Sequence, residues 1–583
     1  MSRFSYQSAA GVNLLEDGRT RFRLWVPGCE DVRLEQEGRD PLPMTPIGEG
    51  WFEAEAEAGP GTRYRYRVGQ DLAVPDPASR AQAPDVRDPS IVIDPKAYQW
   101  TQPDWRGRPW EEVVLYEVHA GTMGGFRAVA DQLPRLAELG ITAVELMPIA
   151  DFPGTRNWGY DGVLPYAPDS AYGSPEDLKA LVDRAHELGL MIFLDVVYNH
   201  FGPEGNYLGA YAPEFFREDV QTPWGGAIDF GREPVARFFI DNALYWLIEY
   251  RFDGLRFDAV HAIADNGFLD RLAAEIRRTV EPGRQVHLVL ENESNDAKRL
   301  ERGFDAQWND DFHNVLHVLL TGETQAYYAD FAARPAERLA RCLAEGFIYQ
   351  GEGSPNHDGR PRGSPSAHLP PTRFVPFLQN HDQVGNRALG ERLTILAEQA
   401  RLRAAVGLLL LSPQIPLIFM GEEVGSETPF LFFTDFHDEL ADAVREGRRR
   451  EFAKFAAFAD PEQRERIPDP NCLSTFEASR PVPGPGAEAW HCLFAELLKL
   501  RHSRIVPGLK SSRSLGAAAI GDKAVVARWR LGSETLTLAL NLGEVGVEIP
   551  DTPGGEPLKL IGEPLSAATL APATFAAWLE GSQ

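Results

Sequence analysis

From Val113 to Gly421 the chain alternates apolar runs of strand length with longer stretches whose apolar residues recur at the helical period. The runs are VVLYEVH (113–119), AVELMPI (143–149), MIFLDVV (191–197), GLRFDAV (254–260), VHLVLEN (286–292), FDAQWN (304–309), FVPFLQN (374–380) and PLIFMG (416–421). Between them lie helix patterns such as FRAVADQLPRLAELG, SPEDLKALVDRAHELG, VARFFIDNALYWLIEY and FLDRLAAEIRRTV, several closed by a glycine suited to a C-cap. Strands alternating with helices in this way build parallel sheets from βα units. Eight of them predict an α/β fold with a closed (β/α)8 TIM barrel. A doubly wound sheet is the alternative, but it seldom needs eight strands with polar residues at so many strand ends.

The flanks are patterned differently. Residues 1–90 hold short period-2 stretches, among them TRFRLWVP, DVRLEQE, GWFEAEAE and TRYRYRVG, and read as an N-terminal β-sandwich. Residues 91–108 read as an extended linker laid on a neighbouring surface, 109–504 as the barrel with loop insertions, and 505–583 as a small C-terminal β-sandwich domain with AVVARWRLG and ETLTLALNLG as strands.

Composition narrows the function. At 583 residues the chain is expected to hold three or four units, and 43% apolar with 25% charged residues is enough to bury sizeable cores. A net charge of -27 repels phosphate backbones and anionic lipid, so nucleic acid and membrane are not expected partners and a neutral substrate suits the surface better. The basic run REGRRRE around residue 447 reads as a solvated helix face. Cys29, Cys342, Cys472 and Cys492 lack zinc-site or disulfide spacing and read as reduced structural thiols. No signal-peptide pattern and no run of about 18 apolar residues occurs, so a cytoplasmic location is expected. Neither HExxH nor an EF-hand loop is present, and no metal or cofactor is expected.

Carboxylates stand at the ends of several predicted strands, where barrel enzymes assemble their sites. In GLRFDAV the period of two places Arg256 and Asp258 on one face, and a guanidinium there favours the ionised carboxylate that attack on an anomeric carbon requires. A structural Arg–Asp pair is an equal alternative for that strand taken alone. In VHLVLENES a desolvated carboxyl at the strand end can hold a proton for a leaving group; Glu291 is the better candidate, and Glu293, of the same strand parity but further into the polar loop, stays open. FLQNHDQVGN carries His381 and Asp382, FLDVVYNH carries Asp195 and His200, and RNWGYDG offers the rings of Trp158 and Tyr160 to the apolar face of a sugar. Each taken singly could be a satisfied core residue, which is the commoner case for a lone histidine or an aromatic ring.

Together DVVYNH, GLRFDAV, LVLEN and FLQNHD occur in the order and approximate spacing of the four sequence regions of the α-amylase superfamily, glycoside hydrolase family 13, which the chain therefore resembles. The resemblance implies Asp258 as nucleophile, Glu291 as general acid/base and Asp382 as the transition-state stabiliser that holds the sugar hydroxyls. Asp195, His200, Arg256 and His381 match supporting positions. It also implies a retaining mechanism, with the two reacting carboxyls about 5 to 5.5 Å apart.

FRLWVPGCEDVRLE looks like the module preceding branching, debranching and trehalose-releasing members. ELMPIADFPGTRNWGYDG, NHFGPEGNYL, FDAQWNDDFHNVLHVLLTGE and FLQNHDQVGNRALGERL are similar to the maltooligosyltrehalose trehalohydrolase family. That similarity implies cleavage of the α-1,4 bond next to the terminal trehalose of maltooligosyltrehalose, leaving a shorter maltooligosaccharide. His261 and the Trp308 to Asp311 stretch, Asp310 within it, are then candidates for the aglycone pocket, with packing an equal alternative. Two segments depart from the family: MGGFRAV after VHAGT is shorter than the usual loop, and ENESND stands where a Ser-Asp pair is usual after the glutamate. The rival readings are a 1,4-α-glucan branching enzyme and a catalytically silent glucan-binding protein.

Overall fold

Eight short parallel strands close on themselves in chain order. They are β1 (Leu115–Val118), β2 (Ala143–Leu146), β3 (Met191–Val196), β4 (Gly254–Phe257), β5 (His287–Leu290), β6 (Ala306–Trp308), β7 (Phe374–Val375) and β8 (Leu417–Phe419). β8 pairs in parallel with β1, and a bridge between Phe377 and Leu417 joins β7 to β8, so the sheet is a barrel and not a doubly wound layer. This computed structural model describes residues 3–581 apart from 223–224, 454–457, 459 and 567.

Each strand lies inside its predicted run and stops short of the polar end. β4 ends at Phe257, one residue before Asp258, and β5 ends at Leu290, one before Glu291. β7 is curtailed at Val375 because Pro376 has no N–H to give the ladder. Asp258 and Glu291 are therefore released from the ladder at its C-terminal rim, next to Asp195 and Arg256, which still pair within it.

Alternation sorts the barrel side chains into two cores. Leu115, Ala143, Met191, Phe193, Val289, Ala306, Val375 and Leu417 fill the interior with Trp308, and Trp110 plugs the N-terminal end by donating its indole N–H to the Thr372 carbonyl at 2.7 Å. Tyr116, Val144, Ile192, Leu194, Leu255, Phe257, Leu288 and Leu290 face outward into the cluster made with the helices. Those helices begin and end where the sequence directs. Pro175–Glu187 starts in a reciprocal capping box between Ser174 and Asp177 with Pro175 in its first turn, and Phe126–Leu139 ends at Gly140, whose φ of 104° a side chain would resist.

The N-terminal strands form two antiparallel sheets, one of Gly11–Leu14, Thr20–Trp25, Thr45–Gly48 and Trp51–Ala56, the other built around Val32–Gln36 and Arg63–Val68. Phe22, Leu24, Leu34, Tyr64 and Tyr66 are buried between them. The chain then runs along the barrel, where Asp183 accepts from the backbone N–H of Thr101 and Gln102 at 2.8 and 3.0 Å and Asp253 accepts from Trp105 at 2.9 Å. At the other end, Arg513–Gly521, Ala524–Leu531, Glu534–Asn541, Thr574–Gly581 and Lys559–Ile561 make an antiparallel sheet. A second pair, Val547–Glu548 with Thr569–Leu570, covers it over Val526, Ile549, Leu570 and Trp578.

Two further features bear on the site. A hairpin of Ala150–Asp151 and Leu164–Pro168 follows β2 and carries Trp158 and Tyr160 over the mouth. The run REGRRRE lies in the helix Asp438–Phe452, but it is not wholly solvated: Arg448 is buried, 8% exposed, because helical spacing turns it under the neighbouring chain. Among the described residues no helix is long and apolar enough to cross a membrane.

Candidate active site

Arg256 is the hub. It leaves β4 on the inner face, and its guanidinium lies 4.1 Å from the Trp308 ring centroid, a cation–π contact that holds the fork flat. Nη1 donates to both oxygens of Asp195 at 2.8 and 2.7 Å and to Asp258 Oδ1 at 2.8 Å, and Nη2 stands 3.7 Å from Glu291 Oε2. Strands β3, β4 and β5 thus deliver one carboxyl each to a single buried cation. The two side chains that face the cleft, Asp258 and Glu291, are 14% and 18% exposed.

Beyond Asp258 the backbone enters an unusual conformation. Ala259 has φ of 39°, a region a side chain resists, and its N–H points at the Glu291 carboxyl, donating to Oε2 at 2.5 Å. The neighbouring bonds from Glu291 N to Phe257 O at 3.0 Å and from Val260 N to Glu291 O at 3.1 Å tie the two loop entrances together. Burial pushes the Glu291 carboxyl well above the usual range, and the negative charges of Asp258, Asp310 and Asp382 add to this against the opposing pull of Arg256.

Glu293, of the same strand parity, is not in this cluster. It is 53% exposed, its N–H donates to His261 Nδ1 at 3.3 Å, and its carboxylate lies 3.7 Å from His261 and 3.4 Å from His357. His261 is consequently placed at the outer rim beside Glu293.

The opposite wall comes from the β7 end. Asn380 caps the short helix His381–Gly385 by accepting from Gln383 N at 2.9 Å, and Asp382 in its first turn opens onto the cleft. His381 is held by Glu117 from β1, and Tyr160 stacks on its imidazole at 5.0 Å and 25° while donating to Asp195 at 2.6 Å. Desolvation in the recess raises the Asp382 carboxyl, with His381 and Arg256 opposing, and desolvation likewise brings Asp195 to about 6. His200 Nε2 donates to the Tyr160 carbonyl, 2.9 Å away, and so steadies the hairpin from behind.

Trp158 does not offer the open face expected of it. It is 5% exposed, stacked on Phe430 at 5.4 Å, edge-on to Phe432 and His381, and its indole N–H donates to the Leu431 carbonyl. Gly385 is pressed so closely on this indole that a Cβ there would stand 2.1 Å from it, so Trp158 is the wall against which the His381 helix is seated. Of the stretch after β6, Asp310 borders the cleft, accepting from Gln383 at 3.3 Å with burial raising its carboxyl to about 7. Asp311 instead anchors the following loop, accepting from Ile348 N at 2.8 Å and Asn295 at 3.0 Å and pairing with Arg362 at 3.2 Å.

Three residues outside the expected set complete the site: Glu117, Glu145 and Asn386. The first two were detectable as single acids inside apolar strands, VVLYEVH and AVELMPI. Among the described residues no group of three or more His, Cys, Asp or Glu is arranged to hold a metal ion.

The chain is 41% identical over 543 residues to the malto-oligosyltrehalose trehalohydrolase of Deinococcus radiodurans, a match spanning 90% of this chain and 88% of that one. The chain belongs to the malto-oligosyltrehalose trehalohydrolase family. A further relative in this trehalohydrolase family, from Saccharolobus solfataricus, is 42% identical over 76% of this chain and 80% of its own. Within the trehalohydrolase family member described here, residues 95–217 match the alpha amylase catalytic domain and 512–578 match a domain of unknown function, DUF3459. A Salmonella typhimurium protein provisionally named an alpha amylase, solved by crystallography, superposes with a TM-score of 0.93 at 46% identity over 99% of this chain and all of that one. A branching enzyme from Bacillus caldolyticus is more distant from this trehalohydrolase family member, 29% identical over 75% of the chain.

Proposed function

We infer that this chain hydrolyses the α-1,4 bond adjacent to the terminal trehalose of maltooligosyltrehalose, releasing trehalose and a maltooligosaccharide. Its relatives carry the name of that reaction, and a neutral glucan suits a surface of net charge -27. One observation carries the mechanism: a single guanidinium collects two cleft carboxyls of unlike environment, Asp258 against its Nη1 and Glu291 pushed up by burial. That is the division of labour a retaining glycosidase needs, a nucleophile beside a proton donor.

In the first step an Asp258 oxygen attacks the anomeric carbon. The bond from that carbon to the trehalose oxygen breaks, and the Glu291 proton passes to the departing oxygen. In the second, Glu291, now a carboxylate, takes a proton from water, the water oxygen attacks the same carbon, and the ester to Asp258 breaks. A carboxyl separation of about 5 to 5.5 Å belongs to this mechanism. Asp382 and His381 are placed to take the hydroxyls of the reacting ring, Tyr160 to line its apolar face, and Asp195 and Arg256 to hold Asp258 in line. His200 supports Tyr160, while Asp310 at the cleft and His261 further out are the candidates for contacts with the leaving trehalose.

The test compares maltotriosyltrehalose with maltopentaose at equal concentration. Free trehalose released much faster than maltopentaose is cut supports the reading. New α-1,6 branches from amylose with no trehalose, or binding without turnover, would replace it.

A further inference from the structure

We propose that Arg448 is a positioning residue for Asp382 and acts on it through Asn386. The inference rests on the reading of Asp382 as the third carboxylate of the site.

Arg448 stands in the helix Asp438–Phe452, among arginines that face solvent, yet it is buried at 8% exposure. Its guanidinium lies over Phe452 and Phe432, 4.7 and 5.4 Å from the ring centroids, with Glu451 3.2 Å away. From there the guanidinium engages three consecutive residues at the C-terminal end of the Asp382 helix. Nη2 donates to the carbonyls of Gly385 and Arg387, the latter at 3.2 Å, and Nη1 donates to Asn386 Oδ1 at 3.3 Å.

The middle contact has a chemical direction. An amide has one accepting end and one donating end. With Oδ1 committed to a guanidinium, Asn386 must present Nδ2 to the other side, and that Nδ2 donates to Asp382 Oδ1 at 2.5 Å. Turning the amide over would set its oxygen against a carboxylate and its NH2 against a cation, two repulsive contacts in place of two attractive ones. Arg448 therefore selects the amide orientation and the amide selects the carboxylate rotamer. Among the described residues Asp382 Oδ2 has no hydrogen-bond partner, and it is the oxygen left for a sugar hydroxyl. The two backbone contacts clamp the C-terminal end of the same short helix, whose Asn386 N–H already donates to the Asp382 carbonyl at 2.9 Å.

The test uses the full chain with Arg448→Met, which keeps an unbranched apolar stem, Arg448→Lys, Asn386→Ala, and the Met–Ala double variant, assayed on maltotriosyltrehalose. A carboxylate displaced by a fraction of an ångström lowers kcat, by about 10- to 100-fold, more than it raises KM. Each single variant should show that loss and move the acid limb of the pH profile to higher pH, because a hydrogen bond to the charged form of Asp382 is gone. The double variant should be no slower than the worse single, since both act on one contact, and Arg448→Lys should recover part of the rate. A wild-type kcat in Arg448→Met, or single losses that multiply in the double variant, would overturn the inference. If Arg448→Met fails to fold, Asn386→Ala decides alone, and a wild-type rate and pH profile in it overturns the proposal. Asp382→Asn separates the two levels: an active Asp382→Asn removes the reading of the site, whereas an inactive one beside normal Arg448 and Asn386 variants removes only this inference.

Discussion

Glu117 grips His381 at two points: Oε2 accepts from the histidine backbone N–H at 2.9 Å and Oε1 pairs with Nδ1 at 2.5 Å. The pair fixes both the first turn of the Asp382 helix and the ring on which Tyr160 stacks. Burial alone would lower the imidazole, but the charge and hydrogen bond of Glu117 overcome it and hold His381 above its usual 6.5. Glu117→Gln removes that charge, so His381 loses its proton at lower pH. The alkaline limb of kcat/KM is expected to move to lower pH, with a loss of roughly 10- to 100-fold at neutrality, read from the pH–rate profile.

Glu291 and Glu293 should separate cleanly. Glu291→Gln is expected to lower kcat by about 10²- to 10⁴-fold, the contribution of a positioned proton donor. Glu293→Gln, on an exposed side chain, should stay within about twofold of wild type in rate. Activity on maltotriosyltrehalose measured for both variants in parallel checks this, and equal losses would reassign the proton donor.

Arg256→Lys keeps the charge and loses the fork. An ammonium cannot take the place of Nη1 between Asp195 and Asp258 while a second nitrogen stands toward Glu291. A fall in kcat of about 100-fold or more is expected with the thermal midpoint little changed. Steady-state kinetics beside a melting curve would show it, and a near-normal kcat would mean the fork is not needed.

Glu145 gives a stability prediction. It pairs in register with Glu117 across β2 and β1, is 1% exposed, and neither carboxyl oxygen has a hydrogen-bond partner among the described residues. Burial first, then the charges of Asp195 and Glu117, raise its carboxyl well above 4.5, with Arg256 opposing. Between the unfolded value and that raised one, the folded state binds the extra proton, so stability falls as pH rises. Glu145→Gln cannot titrate. Its melting point should track wild type at pH 4 and exceed it progressively above about pH 5. The gap should grow by about 1.4 kcal/mol per pH unit while only the folded glutamate stays protonated. Parallel melting curves from pH 4 to 8 test it, and a constant gap would contradict it.

Local pattern was enough for the barrel and for part of the site. The eight apolar runs needed only strand length and flanking helices, and Arg256 with Asp258 needed only a spacing of two, because Arg256 lies inside β4 and Asp258 only one residue past its end. Glu291 and Glu293 show where that rule stops: the β5 ladder ends at Leu290, one residue before Glu291 and three before Glu293, so shared strand parity does not carry as far as Glu293. The enclosure of Trp158 is not legible locally for a different reason, since the rings around it, Phe430 and Phe432, lie some 270 residues further along the chain.

The sequence by itself determined the strands, the helices, their alternation into two cores, and which residue types stand at the strand ends, because these depend on neighbours one to four positions away. Tertiary structure alone decided that Arg256 gathers Asp195 and Glu291 as well as Asp258, that Glu117 grips His381, and that one arginine of a basic run reaches Asn386; the contacts other than Arg256 to Asp258 are long-range. Those contacts join residues from 35 to 264 positions apart (256 to 291, 117 to 381), and only closure of the barrel brings them within hydrogen-bonding or ion-pairing distance.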